Sequence, residues 1–157
     1  MLAPPRFSLR YCWRMARHLI EGGCHCGNVS FQFEATAGLD VLGLRACQCS
    51  FCRAHGARTT SDPDGAIRIA VRDADRLTRY RFGLRTADFL ICRDCGVFVG
   101  ALMDDGGRRF FTVNANCFKP PPAYDIVGVA HDFGGEDAAG RTGRRAAKWT
   151  PVTELSA

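Results

Sequence analysis

The chain has 157 residues, of which 46% are hydrophobic and 24% are charged. This length suits one globular domain with an ordinary core, and no stretch is long and apolar enough to form a transmembrane helix. The formal charge of +5 rests on 21 basic residues, and these are mostly arginines scattered singly along the chain, a pattern that does not indicate nucleic-acid binding.

The N-terminus is basic and mildly apolar, but it lacks the continuous hydrophobic segment of a secretory signal. Everything recognisable lies after Met15, which offers an alternative start, so residues 1–14 are predicted to be an extension outside the fold. Without such a signal, the nine cysteines favour reduced thiols over a disulfide framework. We therefore predict a cytoplasmic protein with no membrane partner.

The middle of the chain is a series of short segments in which apolar and polar residues alternate, as in half-buried strands. Turn sequences such as Asp-Pro-Asp-Gly at 62–65 and Asp-Asp-Gly-Gly at 104–107 separate these segments. The pattern predicts an all-β domain over residues 15–133, with strands at 29–33, 39–46, 66–71, 77–82, 89–92, 97–102 and 109–113.

Three consecutive prolines at 120–122 support neither a helix nor a strand, so they are predicted to end the strand region. Residues 134–157 form a C-terminal segment rich in glycine, alanine and arginine. The sequence allows either a short basic helix at 144–148 or a loosely held tail.

Seven of the nine cysteines fall into three tight clusters, which are Cys24 with Cys26, Cys47 with Cys49 and Cys52, and Cys92 with Cys95. Cysteines one or two residues apart present their sulfurs on one side of a tight turn. That geometry suits a tetrahedral metal and is poor for disulfides between such close neighbours.

The first and third clusters are pairs flanked by glycines, which allow tight turns with backbone N–H groups directed at the sulfurs. Two such pairs provide the four thiolates of a closed structural zinc site, with ligands Cys24, Cys26, Cys92 and Cys95. The alternatives are two separate metals or a redox dithiol.

The middle cluster supplies only three thiolates, Cys47, Cys49 and Cys52, which leaves the fourth position of a tetrahedral zinc for water or substrate. An incoming thiol is a natural fourth ligand, and Arg53 is placed to offset negative charge or to steer an anion. Alternatively, a protein ligand closes the site, with His25, His55 or Cys117 as candidates. Two zinc ions with seven thiolates would lower the net charge to about +2.

The motifs Glu-Gly-Gly-Cys-His-Cys-Gly at 21–27, Cys-Gln-Cys-Ser-Phe-Cys-Arg at 47–53 and Cys-Arg-Asp-Cys-Gly at 92–96 resemble the glutathione-dependent formaldehyde-activating family. Centromere protein V-like proteins belong to the same family, and the resemblance extends from about His18 to Phe118. All seven clustered cysteines match in order and spacing. The sequence departs from the common pattern at Gln48, where members often have histidine.

The resemblance implies a β-tent of twisted antiparallel sheets around two zinc ions, with the two ligand sets named above. It also implies a carbon–sulfur lyase that joins glutathione and formaldehyde to give S-(hydroxymethyl)glutathione, with Cys47, Cys49, Cys52 and Arg53 at the catalytic site. The alternative is a non-catalytic zinc module that binds a thiol metabolite or a protein partner. A chromatin role would depend on the arginines at 141, 144 and 145 alone.

Overall fold

A computed structural model of the protein describes residues 17–156, so the predicted extension at 1–14 lies outside the described residues. Within these residues, eleven strands and three short α-helices follow one another. The helices are α1 (Leu39–Leu42), α2 (Ser50–Ala54) and α3 (Ala138–Lys148). The strands are β1 (His18–Gly23), β2 (Val29–Ala35), β3 (Arg45–Cys47), β4 (Thr59–Thr60), β5 (Ala66–Val71), β6 (Leu77–Tyr80), β7 (Asp88–Cys92), β8 (Phe98–Asp105), β9 (Arg108–Asn114), β10 (Val129–His131) and β11 (Thr150–Ser156).

The strands form one hydrogen-bonded sheet in the order β1-β2-β5-β11-β9-β4-β3-β10, and β8, β7 and β6 continue from the other edge of β9. Most neighbouring strands are antiparallel, but β11 runs parallel to β5 and β10 runs parallel to β3. The prediction of a mostly β fold is confirmed. The prediction of purely antiparallel sheets is wrong, because both late strands enter the sheet after long connections that allow either direction.

Alternating burial explains why the predicted strands form. Along β2 the apolar residues face the core and Ser30 faces solvent, and β5 repeats this pattern with Arg68 outside. The hairpin between β8 and β9 turns where the sequence predicts it, since the backbone N–H of Gly107 donates to Asp104 Oδ1 at 2.9 Å. Gly106 and Gly107 both have positive φ, a conformation that favours glycine.

The segment at 39–46 is not the continuous strand that was predicted. Leu39 and Leu42 lie one helical turn apart in α1 and pack together against the core, and the turn ends at Gly43, which has a φ of 69°. Strand β3 begins only at Arg45. The sequence of this segment fits a short helix with apolar residues three apart as well as it fits a strand, so the pattern was ambiguous.

The chain also returns to the sheet after the prolines, contrary to the prediction that strand structure ends there. Helix α3 is longer than the predicted basic helix and begins where the Asp137 carboxylate accepts a hydrogen bond from the N–H of Gly140 at 2.7 Å. Strand β11, which follows the buried Trp149, lies between β5 and β9. The C-terminal segment is therefore a part of the sheet.

The core is built mainly from residues of β2, β5, β7, β8 and β9, and a smaller cluster forms where α3 and Trp149 pack near β8. The largest fully buried side chains include Phe33, Phe111, Ile67, Ile69, Leu90 and Met103. One cysteine of each pair, Cys24 after β1 and Cys92 at the end of β7, is a fully buried member of the main cluster.

The buried carboxylate of Asp62 connects the turn before β5 to Thr36 through hydrogen bonds. Its Oδ2 accepts hydrogen bonds from the N–H and the hydroxyl of Thr36 at 2.6 and 2.7 Å, and its Oδ1 accepts from the N–H of Asp64 at 3.0 Å. Burial raises the pKa of Asp62, but these hydrogen bonds outweigh that effect and lower the pKa below its ordinary value.

We expect Asp62→Asn to lower the free energy of unfolding by about 2 kcal/mol, because an amide offers one acceptor oxygen where the donors need two. Since the folded pKa is lowered, the contribution of the carboxylate is fully present above its ordinary pKa of about 4. The difference in the free energy of unfolding between Asp62→Asn and the unmodified protein, measured by urea unfolding, should therefore stay constant between pH 5 and 8. The exposed Asp125→Asn serves as the control, and a difference that shrinks as pH falls across this range would contradict the assignment.

Candidate metal sites

The sulfurs of Cys24, Cys26, Cys92 and Cys95 all lie within 4.8 Å of one another. Cys26 Sγ is 3.4 Å from Cys92 Sγ and 3.7 Å from Cys24 Sγ. A tetrahedral zinc with Zn–S bonds of about 2.3 Å has sulfurs about 3.8 Å apart, whereas a disulfide bond measures about 2.05 Å. The spacing therefore fits four thiolates around one metal ion, as the sequence predicted, and all four cysteines are free thiols.

Tight turns direct backbone N–H groups at these sulfurs. The N–H of Val29 donates to Cys24 Sγ at 3.2 Å, and Gly96, which follows the second pair, has a φ of 72°. Burial raises the pKa of Cys95, but the N–H groups of Cys26 and Val97 outweigh it and lower the pKa to about 6. The backbone therefore favours a thiolate at this position before any metal is considered.

The second group brings together Cys47, Cys49 and Cys52, again with all sulfurs within 4.8 Å of one another. Cys47 ends β3, Cys49 is the N-cap of α2, and Cys52 lies inside that helix with its N–H donating to Cys49 Sγ at 3.4 Å. The hydrogen bond from the Cys52 thiol lowers the pKa of Cys47 to about 5, and the same bond raises the pKa of Cys52. Of these two thiols, Cys47 therefore loses its proton more readily.

Aromatic packing fixes helix α2, which carries two of these thiols. Phe51 meets Phe89 and Phe98 edge to face, with ring centroids 4.9 and 5.0 Å apart, and it also stacks on Phe82 at 5.4 Å. These partners belong to β7, β8 and the loop after β6. The sheet thus holds the helix in place through one side chain.

An open cleft of about 260 Å³ runs beside Cys47 and Cys52, and Arg53 and Gln48 line it. Arg53 is exposed on the last turn of α2 and lines this cleft together with Cys47 and Cys52. We refer to this space as the outer cleft. Cys47 is half-buried at this cleft, whereas Cys52 is buried, so solvent reaches the three-thiol group mainly through Cys47 and the half-buried Cys49.

The proposed fourth protein ligands are placed elsewhere. Among residues 17–156, no histidine, carboxylate or further cysteine joins the three-thiol group. The exposed His55 stacks on Phe51, and its Nδ1 lies 2.9 Å from the carbonyl oxygen of that residue. The buried thiol of Cys117 donates to the carbonyl oxygen of Phe98 at 3.5 Å, and burial raises its pKa to about 12.

Four arginines near the three-thiol group were not predicted as site residues, and one of them, Arg58, lines the outer cleft. Arg45, Arg144 and Arg145 line a second space of about 60 Å³ together with Cys47 and Cys52, and we call it the inner cavity. In the sequence, residues 144 and 145 are distinguished only as part of a short basic run. No local signal marks Arg45, because β3 and α3 meet only through the tertiary fold.

In the described part of the chain, none of the helices combines the length and the apolar character needed to cross a bilayer.

No protein-family model matches the chain. The structure is similar to the crystal structure of a Rhodobacter sphaeroides protein that was a structural-genomics target, with a TM-score of 0.53 and 33% sequence identity. The match covers 70% of this chain and 97% of that one. Identity at this level over nearly the whole length of the other protein shows common descent, and the chain belongs to the same family as this Rhodobacter sphaeroides protein.

Proposed function

We propose that both cysteine groups hold zinc and that the protein is a cytoplasmic carbon–sulfur lyase of the glutathione-dependent formaldehyde-activating type. It would form or cleave a thiol–aldehyde adduct such as S-(hydroxymethyl)glutathione. The observation that supports this proposal is a three-thiol group beside an open cleft, with no fourth ligand among residues 17–156. The four-thiol group supports a structural role for the other zinc, since its ligand set is complete.

The residues of the outer cleft have distinct tasks in this proposal. Cys47, Cys49 and Cys52 would hold the metal, which when bound supplies a Lewis acid that keeps an incoming thiol deprotonated at neutral pH. The guanidinium of Arg53 at the cleft wall attracts anionic ligands, a class that includes glutathione. In the addition, the thiol gives its proton to water and its sulfur bonds to the aldehyde carbon. The C=O double bond becomes a single bond, and its electron pair passes to the aldehyde oxygen, which takes a proton from water.

A second candidate function is a non-catalytic zinc module that binds a thiol metabolite or a protein partner. The observation in its favour is an apolar segment next to the outer cleft. Tyr124 and Val127 are 98% and 80% exposed, Val129 is also exposed, and Val127 lines the cleft itself. A partner that covered this segment would reach the three thiols directly.

Exchange NMR on glutathione and formaldehyde tests the proposed activity. We expect the protein to accelerate interconversion with the adduct, and we expect Cys49→Ala to return the exchange rate to that of the uncatalysed reaction. Cys117→Ala, which removes a thiol outside both groups, should behave like the unmodified protein.

Exchange at the uncatalysed rate with the unmodified protein would overturn the lyase proposal for this substrate. If glutathione then still raised the melting temperature, and Cys49→Ala abolished that rise, the binding module would be the better description.

A further inference from the structure

The inner cavity combines buried positive charge with a shape closed to most of the solvent. None of its lining residues is exposed, and more than half, including Cys52, Phe98 and Trp149, are buried. Arg45 enters it from β3, while Arg144 and Arg145 enter from α3. Three arginine residues therefore line a space of about 60 Å³.

Two of these guanidiniums have only neutral partners. Arg145 Nη1 donates to Thr86 Oγ1 at 2.7 Å, and Arg45 Nη2 donates to Ser61 Oγ and Thr112 Oγ1 at 2.7 and 3.1 Å. Within residues 17–156, neither arginine has a carboxylate oxygen within 4.0 Å of its guanidinium nitrogens. Arg145 is only 8% exposed, and its Nε has no hydrogen-bond partner.

The third guanidinium has a carboxylate partner, which it shares with Arg141. Arg144 pairs with Glu136, whose Oε2 accepts from Nη2 at 2.9 Å, and it lies over the ring of Phe133 at 3.8 Å. The remaining nearby anion is the three-thiol group, which would carry a net charge of about −1 with a divalent metal. One positive charge among Arg45 and Arg145 is then left without a counter-ion, an arrangement that is costly for buried groups.

We propose that the inner cavity, which Arg45 and Arg145 line, binds a small carboxylate of the size of formate or acetate. A planar guanidinium matches a carboxylate through paired N–H groups, and the free Nε of Arg145 provides one such donor. The apolar walls formed by Phe98 and Trp149 favour a ligand with little other polar surface. The volume accommodates only a few non-hydrogen atoms.

The carboxylate has two possible sources. It is either a free small acid or the carboxylate arm of a larger thiol whose sulfur occupies the three-thiol group. Both sources fit the layout, because Cys47 and Cys52 line the inner cavity on one side and the outer cleft on the other. The carboxylate site depends on the arginines and not on lyase activity, so the carboxylate proposal and the lyase proposal can each fail without the other.

Calorimetric titration of the purified zinc-containing protein with formate and acetate tests this site, at constant ionic strength. We expect saturable binding of both acids and none of formamide or acetamide, which have the same shape without the charge. Arg145→Gln and Arg45→Gln should each weaken binding roughly tenfold or more, because each removes a charged donor. Arg141→Gln is the matched control, since Arg141 belongs to the same helix but donates to Phe133 O and Glu136.

Three results would overturn the proposal. The first is that the amides bind as well as the acids. The second is that Arg145→Gln and Arg45→Gln bind formate normally. The third is that Arg53→Gln alone abolishes binding, which would place the anion in the outer cleft. If Arg145→Gln does not fold, the unmodified protein still decides the question. A nuclear Overhauser effect from the formate proton to the indole ring of Trp149 is expected, and its absence under saturating formate would contradict the site.

Mercaptoacetate distinguishes the two sources. Binding much tighter than that of acetate, with the gain lost in Cys49→Ala, would assign the carboxylate to a larger thiol ligand. Equal binding of the two compounds, still sensitive to Arg145→Gln, would assign the site to a free acid.

Discussion

Replacing Cys92 with alanine is expected to unfold the protein. Cys92 ends β7, is completely buried, and its sulfur lies 3.4 Å from that of Cys26, across the contact that joins this strand to the turn after β1. On the proposal that this group holds zinc, the change removes one of four ligands. Binding of a structural zinc is worth roughly 10–16 kcal/mol, which is comparable to the total stability of about 5–15 kcal/mol that is typical of a domain.

The measurement pairs thermal unfolding with a zinc count on purified protein. Cys92→Ala should lose the cooperative transition and at least one zinc, and a strong chelator should produce the same loss in the unmodified protein. Cys117→Ala controls for the removal of a buried thiol as such, because Cys117 lies outside both groups. We expect this control to cost no more than about 1–2 kcal/mol.

Cys49→Ala separates the two sites. Cys49 caps a helix of five residues that Phe51 also anchors, so its loss should leave the transition in place and remove only the second zinc. Equal unfolding of Cys92→Ala and Cys49→Ala would show that the division into a structural and an open site is wrong. Retention of two zinc ions in Cys92→Ala would show that the four-thiol group is not a ligand set.

The strands that the sequence predicted best are those whose burial alternates along a single core face. Strand β5 matches the prediction residue for residue, and β9 extends it by one residue at each end. Their side-chain pattern is a local property of the chain, so it can be read without knowing the neighbours. Strand β11 was missed because its pattern of burial is weak, and only its position between β5 and β9 makes it a strand.

The metal groups were predictable for a related reason. Closely spaced cysteines are themselves a local sign of a metal-binding turn, and the structure brings the two distant pairs together as predicted. The arginines of the inner cavity carry no such signal. Arg45 and Arg145 are a hundred residues apart, and they become notable only because the fold brings both to the lining of one cavity, with neither paired to a carboxylate.

Shortening the chain to residues 1–148 is expected to abolish cooperative folding as well. Without β11, the backbone N–H and C=O groups that β5 and β9 direct at it lose their partners. Each buried polar group left in this way costs about 1–3 kcal/mol. The hydroxyl of Thr150, which is 1% exposed and accepts from the N–H of Asp62 at 2.8 Å, is lost with the strand.

Near-ultraviolet circular dichroism and limited proteolysis would follow this change, and a synthetic peptide of residues 149–157 should restore protection when added in excess. Glu154→Ala, at an exposed position of the same strand, should shift stability by less than about 0.5 kcal/mol. If the shortened chain unfolded cooperatively at the midpoint of the full chain, β11 would be dispensable for the fold. Failure of both the shortened chain and the peptide rescue would instead show that β11 must be covalently attached, because pairing with two strands at once requires a high local concentration.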